Sequence, residues 1–228
     1  MSIAENIRVL TAEIESAALN CGRKTDEIRL IAVSKTVGVE QVREAIACGI
    51  EDFGENRVQE LMEKYNAIEK MVKWHQIGRL QTNKVKYLIG KNILIHSVDR
   101  IELALEISRL SVKAGVDTEI LVEVNVSGEE SKAGVATKEV DAFLDEIAEM
   151  KGIIVSGLMT IAPNIDDLGE IRKVFRILNE LYIDITNKRT DNNIQMKFLS
   201  MGMSHDFRIA VEEGSNMIRI GTAIFGER

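Results

Sequence analysis

The chain has 228 residues, 45% hydrophobic and 29% charged, enough to bury one good core and unlike the composition of a disordered or fibrous protein. Its 29 Lys and Arg stand against 36 Asp and Glu, and a formal charge of -7 gives no overall attraction for nucleic acid. Two cysteines, Cys21 and Cys48, form neither a CxxC pair nor a multi-bridge pattern, so both are expected reduced in a cytoplasmic protein without cysteine-bound metal.

The segment Met1 to Arg8 carries charges where a signal peptide needs an apolar core, and no later apolar run reaches membrane-spanning length. Ile3, Ile7, Leu10, Ile14 and Ala17 recur at helical spacing, which predicts an amphipathic opening helix that covers something. Strands and helices then alternate. The apolar runs predict strands at 30–34, 50–53, 74–77, 93–96, 119–126, 153–159, 197–201 and 217–220. Between them, helical periodicity covers roughly 39–48, 55–71, 80–89, 100–114, 137–150, 166–187 and 205–213.

Each parallel crossover needs about a dozen residues, and eight strands with such connections exceed what an open doubly wound sheet usually holds. The expectation is an α/β protein: a single (β/α)8 barrel spanning residues 1–228 as one domain, with an extra N-terminal helix. No Pro- or Ser-rich linker interrupts it, and the one proline, Pro163, falls in the loop after the sixth strand.

In such a barrel chemistry occurs at the C-terminal ends of the strands, and the unusual residues fall there. Lys35 ends the run Leu30-Ile31-Ala32-Val33-Ser34, the one charge in an otherwise buriable segment. A strand covered on both faces puts that ammonium in a pocket or at its mouth, where burial favours a nucleophilic amine of the Schiff-base type. The competing reading is a lysine that merely snorkels off a strand end.

Arg219 interrupts Met217-Ile218-Arg219-Ile220 at a position that should be interior, and a buried guanidinium needs acceptors. They could come from a carboxylate on a neighbouring strand or from a ligand's ring nitrogen or phosphate. Gly202-Met203-Ser204 follows strand seven and Gly221-Thr222 follows strand eight, the pair of loops that most often cradles phosphate in this architecture. Either alone could be an ordinary turn with a helix cap.

Gly49 to Gly54 has the G-x4-G spacing of a nucleotide loop, but Glu55-Asn56 stands where Lys-Ser/Thr is required, so a P-loop is rejected. His75, His96 and His205 have no metal-ligand spacing, and His75 reads as a hydrogen-bonded structural histidine or a ligand contact. Met159, Met201 and Met203 read as packing, and Arg79, Lys84, Lys86 and Lys91 as a modest basic helix face.

With those residues in view the chain resembles, along its whole length, the YggS/PROSC group of pyridoxal phosphate homeostasis proteins. The likeness lies in Ala32-Val33-Ser34-Lys35-Thr36, in Phe53-Gly54-Glu55-Asn56 with Gln59-Glu60, and in Trp74 to Lys84. It continues through Asn125 to Lys132, Gly157 to Ile161, Leu199 to Ser204, and the closing Arg219-Ile220-Gly221-Thr222-Ala223-Ile224-Phe225-Gly226.

What the resemblance implies is a barrel similar to the N-terminal domain of alanine racemase, binding pyridoxal 5′-phosphate (PLP) as a Schiff base on Lys35. Arg219 would face the pyridine nitrogen, Ser204, Gly221 and Thr222 would hold the phosphate, and Asn56 and Met201 would complete the contacts. Ala133 and Asn216 depart from the family's usual residues, and neither is expected to touch the site. The implied role is to hold and release the cofactor in vitamin B6 homeostasis, as a monomer whose partners are PLP and PLP-dependent apo-enzymes, with no metal.

The alternative is a PLP-dependent racemase or other α-carbon enzyme. Racemisation needs a second base opposite the lysine. In the racemase that base is a tyrosine from another domain of the partner subunit, whereas this sequence ends at Arg228 after its eighth unit. Tyr65, Tyr87 and Tyr182 all lie away from the predicted ligand-side strand ends.

Overall fold

The computed structural model describes residues 2–68, 72–129 and 132–227. Positions 69–71, where the third helix was expected to end, and Glu130 and Ser131 of the Asn125–Lys132 motif lie outside the described residues.

Eight strands close into a barrel: β1 (Arg29–Val33), β2 (Asp52–Glu55), β3 (Lys73–Gln76), β4 (Leu94–Val98), β5 (Thr118–Asn125), β7 (Ile153–Met159), β8 (Ile194–Ser200) and β9 (Met217–Ile220). All neighbouring pairs are parallel, in chain order around the ring, with β4 against β5 and β9 against β1 completing the circle. A two-residue strand, β6 (Val135–Ala136), pairs with the end of β5 outside this ring.

The connecting helices are α2 (Val39–Ala47), α3 (Val58–Ala67), α4 (Ile101–Ala114), α5 (Val140–Ala148), α6 (Leu168–Lys188), α7 (Phe207–Glu212) and α8 (Thr222–Phe225). The helix expected at 80–89 is instead a 3-10 segment, Thr82–Tyr87. Val85 is its sole buried residue, so it lacks the apolar stripe that lets a full α-helix dock. Lys84 and Lys86 lie over the Tyr87 ring at its end.

The opening helix, α1 (Ile3–Asn20), buries the predicted stripe of Ile3, Ile7, Leu10, Ile14 and Ala17. Ser2 caps it by accepting a hydrogen bond from Glu5 N–H at 3.2 Å. It packs against α2, α7 and α8, and Asn6 donates to the Ile224 carbonyl at 2.9 Å. Because α8 has only four residues, α1 completes the outer ring where a final full-length helix would stand.

Alternation along the strands separates two layers. Outward positions such as Ala32, Phe53, Trp74, Ile95, Val122, Leu158, Leu199 and Ile218 join the helices in one large apolar core. Inward positions hold a small separate cluster, Ile31, Leu94, Leu121, Met159 and Met217, with Phe198 against it. The remaining inward positions include Asp52, His75, His96, Glu123, Ser200 and Arg219, all buried. Among the described residues no helix is long and apolar enough to cross a membrane.

Candidate functional site

A cavity of about 530 Å³ opens at the C-terminal ends of the strands, within the range of roughly 300–1,000 Å³ usual for small-molecule sites. Lys35, Asn56, Ser204, Arg219, Gly221 and Thr222 all line it. Met201 does not: it is fully buried and packs into the outer core, and Met203, two residues on, reaches the cavity instead. Ala133, expected to be remote, is also part of the wall, because β6 carries its loop back over β5.

Lys35 lies two residues beyond the observed end of β1 and is exposed rather than buried. The backbone beneath it is held tightly. Ser34 Oγ donates to Glu55 Oε1 at 2.6 Å, and Lys64 Nζ donates to the Ser34 carbonyl at 2.6 Å and to the same Glu55 oxygen. Burial raises the Glu55 pKa, against the hydrogen bonds from Lys64 and Ser34.

The next residue, Thr36, has φ of 62°, a left-handed conformation that a β-branched residue rarely takes. Its N–H donates to Glu60 Oε2 at 2.9 Å and its hydroxyl to the Lys35 carbonyl at 2.6 Å. Thus α3 supplies both clamps, Glu60 and Lys64, one helical turn apart, and their grip sustains a strained turn at the amine.

At the next stave, Gly78 lets the chain pass against the Asn56 backbone, where an added Cβ would meet the Asn56 carbonyl oxygen at 2.5 Å. Gly202 does the corresponding work after β8: its φ is +97°, and a Cβ there would meet Ala210 Cβ at 2.6 Å. The turn that follows is fixed by Asp206, whose carboxylate accepts from Met203 N–H at 2.5 Å. Burial raises the Asp206 pKa, opposed by backbone hydrogen bonds and by Arg219.

Arg219 forms the floor, and its acceptors are neutral: Ser200 Oγ at 2.6 Å and the Thr160 carbonyl at 2.9 Å. Among the described residues it has no carboxylate in an ion pair, so the buried-pair alternative is not realised. Two of its five N–H donors are accounted for by these bonds. Burial pulls its pKa down to about 10, with Asp206 and Glu123 opposing, so it remains a cation at neutral pH.

Glu123 was not singled out in the sequence, because a glutamate in the run Ile120-Leu121-Val122-Glu123-Val124 has no spacing partner. It lines the cavity on β5, and burial, reinforced by Asp99 and opposed by Arg219 and Arg79, raises its pKa to about 7. Arg79 likewise lines the cavity rather than joining a basic helix face. His75 is a structural histidine: it is buried, bonded to Asp52 and His96, and absent from this cavity's wall.

A family model described as the N-terminal domain of alanine racemase matches residues 3–228. A relative from Aquifex aeolicus, named pyridoxal phosphate homeostasis protein, is 44% identical over 229 residues, covering 100% of this chain and 99% of its own length. The chain belongs to this family.

A solved structure of PipY from Synechococcus elongatus, with PLP bound, is 31% identical with a TM-score of 0.84, covering 99% of this chain and 100% of that one. Alanine racemase from Corynebacterium glutamicum, 19% identical with a TM-score of 0.74, shares the fold; the match covers 99% of this chain and 61% of the racemase.

Proposed function

We propose that this chain binds PLP in the cavity at the C-terminal end of the barrel and serves vitamin B6 homeostasis by holding and releasing it. The observation that carries the reading is the donor set on one wall: a lysine amine, a buried guanidinium with N–H groups to spare, and two glycine-bearing turns with hydroxyls. That set offers partners for the cofactor's aldehyde, ring nitrogen and phosphate. When bound, the cofactor supplies an aldehyde as electrophile.

The chain's own residues divide the work. Lys35 supplies the amine that holds the aldehyde, on a backbone clamped by Glu60 and Lys64. Arg219 would face the ring nitrogen, and a cation there would keep that nitrogen unprotonated and so weaken the ring as an electron sink. Ser204, with Gly221 and Thr222, would hold the phosphate, and Asn56 would lie by the ring. Met201, buried in the outer core, does not line the cavity. Release without turnover, transfer to PLP-dependent apo-enzymes and a monomeric, cytoplasmic protein complete the reading.

An absorbance spectrum of the protein as purified, before and after borohydride reduction, tests it. A visible band that borohydride removes, and that Lys35→Ala lacks while remaining folded, is the expected result; a wild-type protein that cannot be loaded with PLP overturns it. A second reading, an α-carbon enzyme such as a racemase, is favoured by Glu123, a cavity carboxyl that exchanges its proton near neutrality. None of Tyr65, Tyr87 and Tyr182 lines the cavity. Steady α-deuterium incorporation into a single amino acid in deuterated water would select the enzyme.

A further inference from the structure

The barrel interior contains an unbroken polar chain that no step above uses. Starting at the cavity floor, Arg219 Nη1 donates to Ser200 Oγ at 2.6 Å, and Ser200 Oγ lies 3.2 Å from His96 Nδ1. His96 Nε2 lies 3.0 Å from His75 Nδ1, and His75 Nε2 lies 2.9 Å from Asp52 Oδ1. Arg29, the first residue of β1, reaches the same Asp52 oxygen at 3.3 Å from the far end of the barrel. All five residues from Arg219 to Asp52 are buried.

The two ends set the direction of every bond. Arginine has donors only, and an ionised carboxylate has acceptors only. Ser200, having accepted from Arg219, gives its proton to His96 Nδ1. His96 must then carry its hydrogen on Nε2 and donate to His75 Nδ1, and His75 in turn donates from Nε2 to Asp52. Each imidazole is thereby confined to the neutral Nε2–H tautomer.

The electrostatics agree with this assignment. Burial lowers the pKa of both histidines, and for His96 the Arg219 charge adds to the effect. The groups facing His75 are Asp52, which opposes the lowering, and Arg29 and Lys73, which add to it. Burial tends to raise Asp52, but the His75 hydrogen bond and the charges of Arg29 and Lys73 oppose it, and the carboxyl's pKa lies below its ordinary value.

Barrels of this kind ordinarily fill the lumen with branched apolar side chains, and buried polar groups are tolerated only when every member is satisfied. We propose that Ser200, His96, His75 and Asp52 are positioning residues for Arg219, a one-way relay that fixes the guanidinium plane and directs its remaining N–H donors into the cavity. The inference deepens the PLP-binding reading and rests on it for its consequence, though not for its geometry. Without the relay, Arg219 would lose one of its two acceptors and rotate.

The test has two parts. Long-range proton–nitrogen NMR of the ligand-free protein at pH 7 reads the tautomers directly, and three histidines in the chain make assignment simple. Nε2–H for both His75 and His96 is expected; a Nδ1–H tautomer or an imidazolium at either overturns the relay whether or not PLP binds. The second part measures PLP dissociation. Ser200→Ala should release the cofactor about tenfold faster or more, and Ser200→Thr, which keeps the hydroxyl, should restore retention. If Ser200→Ala fails to fold, Asp52→Asn carries the test: its side chain can accept or donate, so the tautomers should mix and release should quicken from a position outside the cavity wall. Unchanged release with mixed tautomers overturns the positioning role. A wild-type protein with Nε2–H at both His75 and His96 that binds no PLP refutes the cofactor reading and leaves the relay as structure alone, which overturns its proposed purpose.

Discussion

The outer and inner faces of the same eight strands are built on opposite rules. Outside, Ala32, Phe53, Trp74, Ile95, Val122, Leu158, Leu199 and Ile218 meet the helices in a continuous apolar layer. Inside, an apolar plug of Ile31, Leu94, Leu121, Met159 and Met217 shares the lumen with two histidines, two carboxylates and an arginine. Burying apolar surface is the main stabilising contribution to folding, and burying charge opposes it. The difference therefore separates labour: the outer layer holds the barrel closed, and the lumen presents a cation and hydrogen-bonding groups to the cavity at a cost in stability that the outer layer offsets.

The largest effect should come from breaking the outer layer. Phe175 on α6 is fully buried there, and Phe175→Ala should cost about 3–5 kcal/mol in urea unfolding while the folded fraction retains PLP as before. Faster PLP release from that folded fraction would show that the two faces are not separable.

The lumen should show the opposite signature, a pH-dependent stability. Glu123 has its pKa raised from 4.5 to about 7, mainly by burial. Between those values the native state holds a proton that the unfolded state has released, so stability falls as pH rises through that window and levels off above it. The fall amounts to about 3 kcal/mol, and Glu123→Gln should flatten it. Unfolding midpoints at pH 5 and pH 7.5 for both proteins measure this, and parallel slopes would show that Glu123 is not the group responsible.

The smallest effect belongs to the rim. Thr222 is exposed at the proposed phosphate seat, so Thr222→Ala should leave unfolding unchanged and weaken PLP affinity by roughly 1.5–3 kcal/mol, one hydrogen bond to a charged group. Equilibrium dialysis against the wild type is sufficient, and equal dissociation constants would remove Thr222 from the seat.

Eight strand positions, the covering role of α1 and the oddity of Lys35 and Arg219 were all legible in the linear order of residues. Those properties are local: a period of two or 3.6, or a charge within an apolar run, is visible in a window shorter than one element. The 3-10 segment at Thr82–Tyr87 escaped because its few apolar residues mimic helical spacing without a continuous stripe. Glu55, Glu60 and Lys64 stood in or beside motifs that drew notice, yet nothing linear tells which of them reaches the backbone under Lys35.

Closure of the barrel decided the rest. His96 and Ser200 are 104 residues apart and meet only because both face the same lumen, as do Asp52 and His75 from adjacent staves. Glu123 has its pKa raised by burial and by Asp99, against the opposing charges of Arg219 and Arg79, all brought to it by other strands and loops. Sequence alone determined where the strands would run and which residues were chemically out of place. Only the tertiary structure decided who their neighbours are, because pKa, hydrogen-bond direction and cavity shape depend on distances across the ring that no local pattern encodes.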